Sequence, residues 1–291
     1  MSKAVPRPFG YVAFDWDGTA VASREVGAAD HLVSRFQILI ERSVLLYVVT
    51  GTTHEWPARQ LQALPERAKK GFFICCNRGS EVYRLGPGQP VLLDRRASSL
   101  AERAALDAAA TALVAWLASF GISAGRIDGR LNRIKVDLIP IPEWADPPKT
   151  RIGELQRAVE VRLAGCGGLS AAMDTAAQAV AATGLDLRIT SDVKHIEIGL
   201  TDKTHSMAWI NSDISRRGGE VSQLLVVGDE FGPIGGVQGS DANTIISGAH
   251  IVSVGTEPNG VPNDVALVGG GTEGFSRILD ELISVHSGVA A

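Results

Sequence analysis

Only three of the 291 residues are cysteine, no charge sign dominates, and no apolar run approaches the roughly 20 residues that span a bilayer. Each shortage excludes something. Cys75 and Cys76 are adjacent in the apolar run 71–76, where neighbouring strand residues face opposite ways, and Cys166 lies among glycines. Buried reduced thiols are expected there rather than a disulfide or a metal centre. With 28 Lys and Arg against 32 Asp and Glu, and the basic residues scattered, no patch suits a nucleic-acid partner. The missing apolar spans exclude a membrane helix, and residues 1–10 carry prolines and a glycine where a signal core would be apolar, so a cytoplasmic protein is expected. Six dispersed histidines show no metal-ligand spacing, and only His54 lies near a candidate active loop. What is present, 45% hydrophobic and 21% charged residues, is enough to bury a sizeable core in two domains.

The chain is organised around Phe14-Asp15-Trp16-Asp17-Gly18-Thr19, which follows the short apolar run Tyr11-Val12-Ala13-Phe14. That run reads as a strand buried on both faces, with acidic residues at the carboxyl end, where open parallel sheets hold their ligands. Helical spacing over 25–42, a β-branched run over 44–49 and a hydroxyl-rich loop Thr50-Gly51-Thr52-Thr53 come next. A helix opening with proline over 55–64 and a third buried strand over 72–76 continue the alternation. Strands alternating with helices imply a parallel sheet.

The pattern changes near residue 80. Glu81 to Leu85 and Val91 to Asp94 read as a hairpin across Gly86-Pro87-Gly88-Gln89, followed by an alanine-rich helix over 99–120 and a strand over 131–139. The prolines between 140 and 148 break regular structure. Helices over 151–163 and 171–182, with strands over 185–190 and 193–198, complete an α+β module. Winding resumes with a helix over 202–214, strands over 223–227, 251–254 and 265–268, and an amphipathic helix over 272–285. The expectation is an α/β protein with a doubly wound, Rossmann-like parallel-sheet core formed by 1–80 and 190–291, and an inserted α+β cap over 81–189.

Four strand or helix ends collect the chemistry: Asp15 and Asp17, then Thr50, then Lys203, then Asp229 with Glu230 and Asp241. Converging carboxylates repel, and a divalent cation with hard oxygen ligands, magnesium above all, would hold them together. Phosphoryl oxygens would take donors from Thr50, the loop amides beside it and Lys203. Residues two apart on an extended strand end share a side, so Asp15 can attack phosphorus while Asp17 hands a proton to the leaving oxygen. Ala20 and Val26, at the sixth and twelfth positions, weigh against the alternative of a calcium loop. Lys194 competes with Lys203, but only Lys203 opens a helix.

In these motifs the chain resembles the haloacid dehalogenase superfamily, specifically its phosphatases with a large type II, Cof-like (IIB-like) cap. Asp15-Trp16-Asp17-Gly18-Thr19 matches the first motif, Val48-Val49-Thr50-Gly51 the second, Lys203 in Thr201-Asp202-Lys203-Thr204 the third, and Gly228-Asp229-Glu230 with Asp241 the fourth. The resemblance implies an aspartyl-phosphate mechanism with Asp15 as nucleophile, Asp17 as acid and base, and Thr50, Gly51 and Lys203 as phosphate binders. It further implies magnesium on Asp15, the main-chain carbonyl of Asp17, Asp229 and a further acid. Pro233 stands where the family places that acid, leaving Asp241 or Glu230. Sugar-phosphate phosphatases and phosphomannomutases share these features, which implies a small phosphate ester as substrate and a monomer or homodimer. A phosphosugar mutase and a catalytically silent ligand-binding protein are the alternatives. Arg130, Asn132, Arg133 and Lys135 are candidate cap contacts to the substrate, although charges alternating along a strand usually mark its wet face.

Overall fold

The computed structural model describes residues 5–145, 147 and 151–288; the ends of the chain and part of the proline-rich segment expected over 140–148 lie outside the described residues. Two compact units emerge. The larger takes residues up to 95, Lys203–Gly232 and those from 241 onward, and the smaller takes Arg96–Asp202 with Pro233–Ser240.

The larger unit is a three-layer α/β structure. Its eight strands are β1 (Tyr11–Phe14), β2 (Leu45–Val49), β3 (Phe72–Cys76), β4 (Glu81–Arg84), β5 (Val91–Arg95), β10 (Leu224–Gly228), β11 (His250–Ser253) and β12 (Val265–Leu267). They run in the order β12-β11-β10-β1-β2-β3-β4-β5. All neighbours are parallel except β3 with β4 and β4 with β5. The inner strands β1, β2, β3 and β10 are buried on both faces because they are apolar without interruption, whereas the edge strand β5 is exposed along its length. Val12, Phe14, Leu46, Val48, Phe72 and Ile74 join one core with α1 (Asp30–Glu41) and α8 (Gly271–His286). Ala13, Tyr47, Val49, Phe73 and Cys75 join the opposite one with α7 (Lys203–Arg216). Short helices α2 (Glu55–Gln60) and α3 (Glu66–Lys69) bridge β2 and β3. The doubly wound Rossmann-like core is therefore present.

The smaller unit pairs β6 (Gly125–Arg130), β7 (Arg133–Asp137), β9 (His195–Gly199) and β8 (Arg188–Ser191) in that order, all antiparallel. Its core joins Ile134, Val136, Ile196 and Ile198 to α4 (Leu100–Ser119), α5 (Ile152–Leu163) and α6 (Gly168–Ala181). Helix α4 starts at a capping box, with the Ser99 hydroxyl accepting from the Glu102 amide and Glu102 accepting from the Ser99 amide.

The boundaries differ from those expected at 81 and 189. The 81–95 hairpin extends the large sheet instead of the inserted module, because the open edge of β3 accepts β4 along Phe73↔Arg84 to Cys76↔Glu81. Residues 190–202 stay with the small sheet, since β9 pairs with both β7 and β8. Strand β6, Gly-Arg-Ile-Asp-Gly-Arg, has one apolar residue and no pattern of its own; it exists by pairing with β7.

Phe14 lies at the centre of an aromatic cluster, 4.9 Å from Phe275 and 5.5 Å from Phe36, with Phe36 edge-on to Phe72 at 5.3 Å. Phe36→Ala should cost about 3–5 kcal/mol of unfolding free energy, measured in urea. On the other face the Tyr47 hydroxyl donates to Asp213 at 2.9 Å. Burial, reinforced by the Asp213 charge, pushes the Tyr47 phenol far up, and burial does the same to the Cys75 thiol. Both folded values exceed the unfolded ones, so the stability they contribute is present below the unfolded values of about 8.5 for cysteine and about 10 for tyrosine, and is lost as pH rises above them. Tyr47→Phe should flatten the fall in stability above pH ~10, as read by urea midpoints against pH.

Candidate active site

Asp15 directly follows β1, and its amide donates to the Val227 carbonyl at 3.0 Å, which carries the β1–β10 ladder past the strand end. Its neighbours on either side, Phe14 and Trp16, belong to the apolar core, and the Trp16 indole donates to the buried Gln60 carbonyl at 2.7 Å. With both flanking residues fixed inward, Asp15 is directed to the opposite side, toward Lys203. Gly18 then turns the chain at φ 96°, a conformation that favours glycine, and Thr19 donates to Asp229 at 2.8 Å.

Lys203 opens α7 and is 2% exposed. Its ammonium donates to Asp15 at 2.7 Å and to Asp241 at 2.6 Å. Burial alone would lower its pKa, but the two carboxylates raise it well above the ordinary lysine value, so the site holds a permanent cation. The other oxygen of Asp241 accepts from the amides of Asp229 at 2.9 Å and Glu230 at 3.0 Å. Buried Glu257 takes the next two amides, Phe231 at 2.7 Å and Gly232 at 2.8 Å. Two carboxylates thus hold four consecutive amides of the loop after β10. The loop tolerates no extra atoms: a Cβ at Gly228 would stand 2.5 Å from Asp241 Oδ2, and one at Gly255 2.0 Å from the Asp229 carbonyl oxygen.

Thr50 directly follows β2 and is 1% exposed, with its amide bonded to the Cys75 carbonyl at 2.9 Å. Its hydroxyl accepts from the Thr52 amide at 3.2 Å and lies 3.1 Å from the Thr52 hydroxyl. Opposite this loop, Asn77 and Arg78 adopt φ values of 50° and 52°, rare for residues with side chains. Their amides donate to the Thr52 and Thr50 carbonyls at 2.8 and 3.3 Å. A Cβ at Gly51 would lie 3.7 Å from Arg78 Nε, so a buried guanidinium runs beside the loop. Arg78 was missed in the sequence, where only Asn77-Arg78-Gly79 directly after β3 marks it.

Asp15, Asp229 and Asp241 each offer an oxygen within 4.8 Å of the others. Glu230 is outside that cluster and contributes its amide to Asp241. The Asp17 carboxylate stands 3.5 Å from the half-exposed Arg24. Lys194 lies in the smaller unit, 3.2 Å from Asp137. Among the cap candidates, Arg130 is exposed, while Asn132 is buried at φ 59° and donates to the Arg96 carbonyl at 2.5 Å. Arg133 and Lys135 flank buried Glu197 at 3.3 and 2.5 Å. This face is neutralised by the strand opposite rather than wet, since Lys135 pairs directly with Glu197 across β7 and β9.

The donor set fits a hard divalent cation. The three clustered carboxylates offer only oxygen, and the Lys203 cation leaves them with surplus negative charge.

No family model and no curated protein matches the sequence. Solved structures do match the fold. The structure of N-terminally truncated IMP-nucleotidase of Plasmodium falciparum aligns with a TM-score of 0.62 at 10% identity, over 96% of this chain and 71% of that one. Sucrose-phosphatase from Synechocystis sp. PCC6803, solved with sucrose and phosphate, aligns with a TM-score of 0.53 at 16% identity, over 96% and 98%. The chain shares its fold with these structures. Within that fold, the loop after β10 has its amides held by Asp241, which lies 12 residues beyond Asp229.

Glu257→Gln should lower stability by about 1–3 kcal/mol, because the new amide group faces backbone N–H donors that then lose an acceptor. Hydrogen exchange at the amides of 231 and 232 should rise while that of β1 stays protected.

Proposed function

We propose that the chain is a magnesium-dependent phosphohydrolase that cleaves small phosphate monoesters, with a sugar phosphate as the favoured substrate, through an aspartyl-phosphate intermediate. The observation that carries this reading is the Lys203 ammonium held between Asp15 and Asp241 beside Asp229. A carboxylate poised as a nucleophile needs a fixed cation nearby, and this one is buried and cannot leave.

In the first step an Asp15 oxygen bonds to phosphorus as the ester oxygen departs, and Asp17 gives that oxygen its proton. In the second, Asp17 takes a proton from water, the water oxygen bonds to phosphorus, and the bond to Asp15 breaks, returning the carboxylate and releasing phosphate. The hydroxyl of Thr50 and the amide of Gly51 would donate to the non-bridging oxygens, with the Arg78 guanidinium beside Gly51 adding charge. Asp15, the Asp17 carbonyl and Asp229 would hold magnesium, with Asp241 rather than Glu230 as the further acid, and the ion would neutralise the charge of the transferring group. Asp241 accepts from Lys203 and two loop amides, so its loss would disturb both partners.

Likeness to a sucrose-phosphatase supports a sugar phosphate, and likeness to an IMP-nucleotidase makes a nucleoside monophosphate the competing substrate. Among the described residues no helix is long and apolar enough to cross a membrane, in keeping with a cytoplasmic enzyme acting on small metabolites.

Phosphate release should be followed over hexose phosphates, sucrose phosphate and IMP, with and without magnesium. Asp15→Asn should reduce kcat at least about a thousandfold. Asp241→Asn should raise the magnesium concentration needed for half-maximal rate, and Glu230→Gln should leave it near the parental value. Parental turnover by the Asp15→Asn variant would refute the nucleophile assignment. Isomerised product dependent on a bisphosphate activator would identify a mutase, and tight ligand binding without turnover a silent binding protein.

A further inference from the structure

Away from the carboxylates around Lys203, a second cluster of ligand-type side chains forms at the carboxyl end of β3. His54 follows the loop after β2, Cys76 ends β3, and Glu81 opens β4. His54, 22 residues before Cys76, meets the Cys76–Glu81 pair because β2, β3 and β4 are neighbours in the sheet. Each offers a ligand atom within 4.8 Å of the other two.

The three donors differ in kind: an imidazole nitrogen, a thiol sulfur and a carboxylate oxygen. That mixture suits zinc or another borderline transition ion and not magnesium. The separation of Cys76 and Glu81 fits. Cys76 Sγ stands 3.9 Å from Glu81 Oε2. Two such ligands on a tetrahedral zinc, with bonds of about 2.3 and 2.1 Å, lie about 3.6 Å apart. A shift of a few tenths of an ångström admits the ion in place of the thiol proton.

The surroundings hold the ligands in place. Glu81 Oε2 accepts from Asn77 at 2.6 Å, and Oε1 accepts from Tyr83 at 3.1 Å and Arg95 at 2.7 Å. These outer bonds orient the carboxylate as second partners of metal ligands do. The His54 ring is stacked on Tyr83, with centroids 3.8 Å apart and planes 22° from parallel. Burial lowers the His54 pKa, the direction that favours the neutral ring a metal ligand needs. Cys76 and Glu81 are buried, while His54 is only partly so and Arg95 is half exposed.

We propose that His54, Cys76 and Glu81 form a transition-metal site, with zinc as the fitting ion and the fourth coordination position open to water or an external ligand. Binding releases the Cys76 proton and leaves a thiolate on the metal. The ion ties the loop that starts at Thr50 and Gly51 to the β3–β4 turn that carries Asn77 and Arg78. The proposal is independent of the phosphohydrolase reading, since none of its ligands is a carboxylate of the Lys203 site.

Cobalt(II) reports the site directly, because only a thiolate ligand produces a sulfur-to-cobalt charge-transfer band and Asp15, Asp229 and Asp241 cannot. Chelator-treated full-length protein titrated with cobalt should develop that band to a stoichiometric end point, and zinc should displace it. The band should vanish in Cys76→Ser and persist in Cys75→Ser and Cys166→Ser. His54→Ala removes a partly exposed ring without a hydrogen bond and should fold normally. It should weaken cobalt binding at least as much as losing an outer partner does, about 10–100-fold. Absence of the band at millimolar cobalt, or a band unchanged in Cys76→Ser or His54→Ala, overturns the proposal.

Discussion

A single buried ammonium sets the arrangement of the site. Lys203 is enclosed at the start of α7 and is bonded to Asp15 and Asp241. A buried cation is tolerable only while its partners stay close, since removing one leaves charge uncompensated in a medium of low dielectric. That requirement links three segments distant in sequence: the end of β1, the start of α7 and the short helical turn carrying Asp241. Asp241 passes the constraint on. One of its oxygens meets the lysine and the other collects the amides of Asp229 and Glu230, so the loop after β10 is positioned by the same carboxylate that neutralises the cation.

The sheet makes this geometry affordable in conformational terms. Its central strands are apolar on both faces, so every second residue is committed to one of two cores. Phe14 and Trp16 are buried together on one side, and Asp15 between them emerges toward the other. The rigidity of the aromatic cluster under β1 is thus part of what aims the carboxylate. Strain appears in the turn after β3, where Asn77 and Arg78 take left-handed backbone conformations and bond to the Thr50 loop. Unfavourable backbone angles at two adjacent non-glycine residues persist only where surrounding bonds hold them.

Much of this was legible in the sequence. Alternation of apolar runs with helical spacing indicated the parallel core, and the position of Asp15, Thr50, Lys203 and Asp229 at element ends follows from where those runs stop. The hairpin at 81–95 was legible as a hairpin but expected in the inserted module, because its own residues do not say which sheet edge it joins and pairing with β3 decides that. Strand β6 was invisible for a related reason: with one apolar residue its conformation comes from its partner β7. Arg133 and Lys135 looked like a solvated face until Glu197 came to lie across from them.

Local chemistry was therefore determined by the sequence itself: which residues end strands, which carry charge, and which must be buried because they are apolar on a period of two. Tertiary structure alone decided the pairings across long separations. Asp241 rather than Glu230 joins Asp15 and Asp229, because the loop closes so that the Glu230 amide points at Asp241. His54 meets Cys76 and Glu81 because the loop after β2 lies beside the point where β3 ends and the antiparallel β4 begins. Contacts of this kind depend on which strands become neighbours, and no short-range pattern in the chain encodes that.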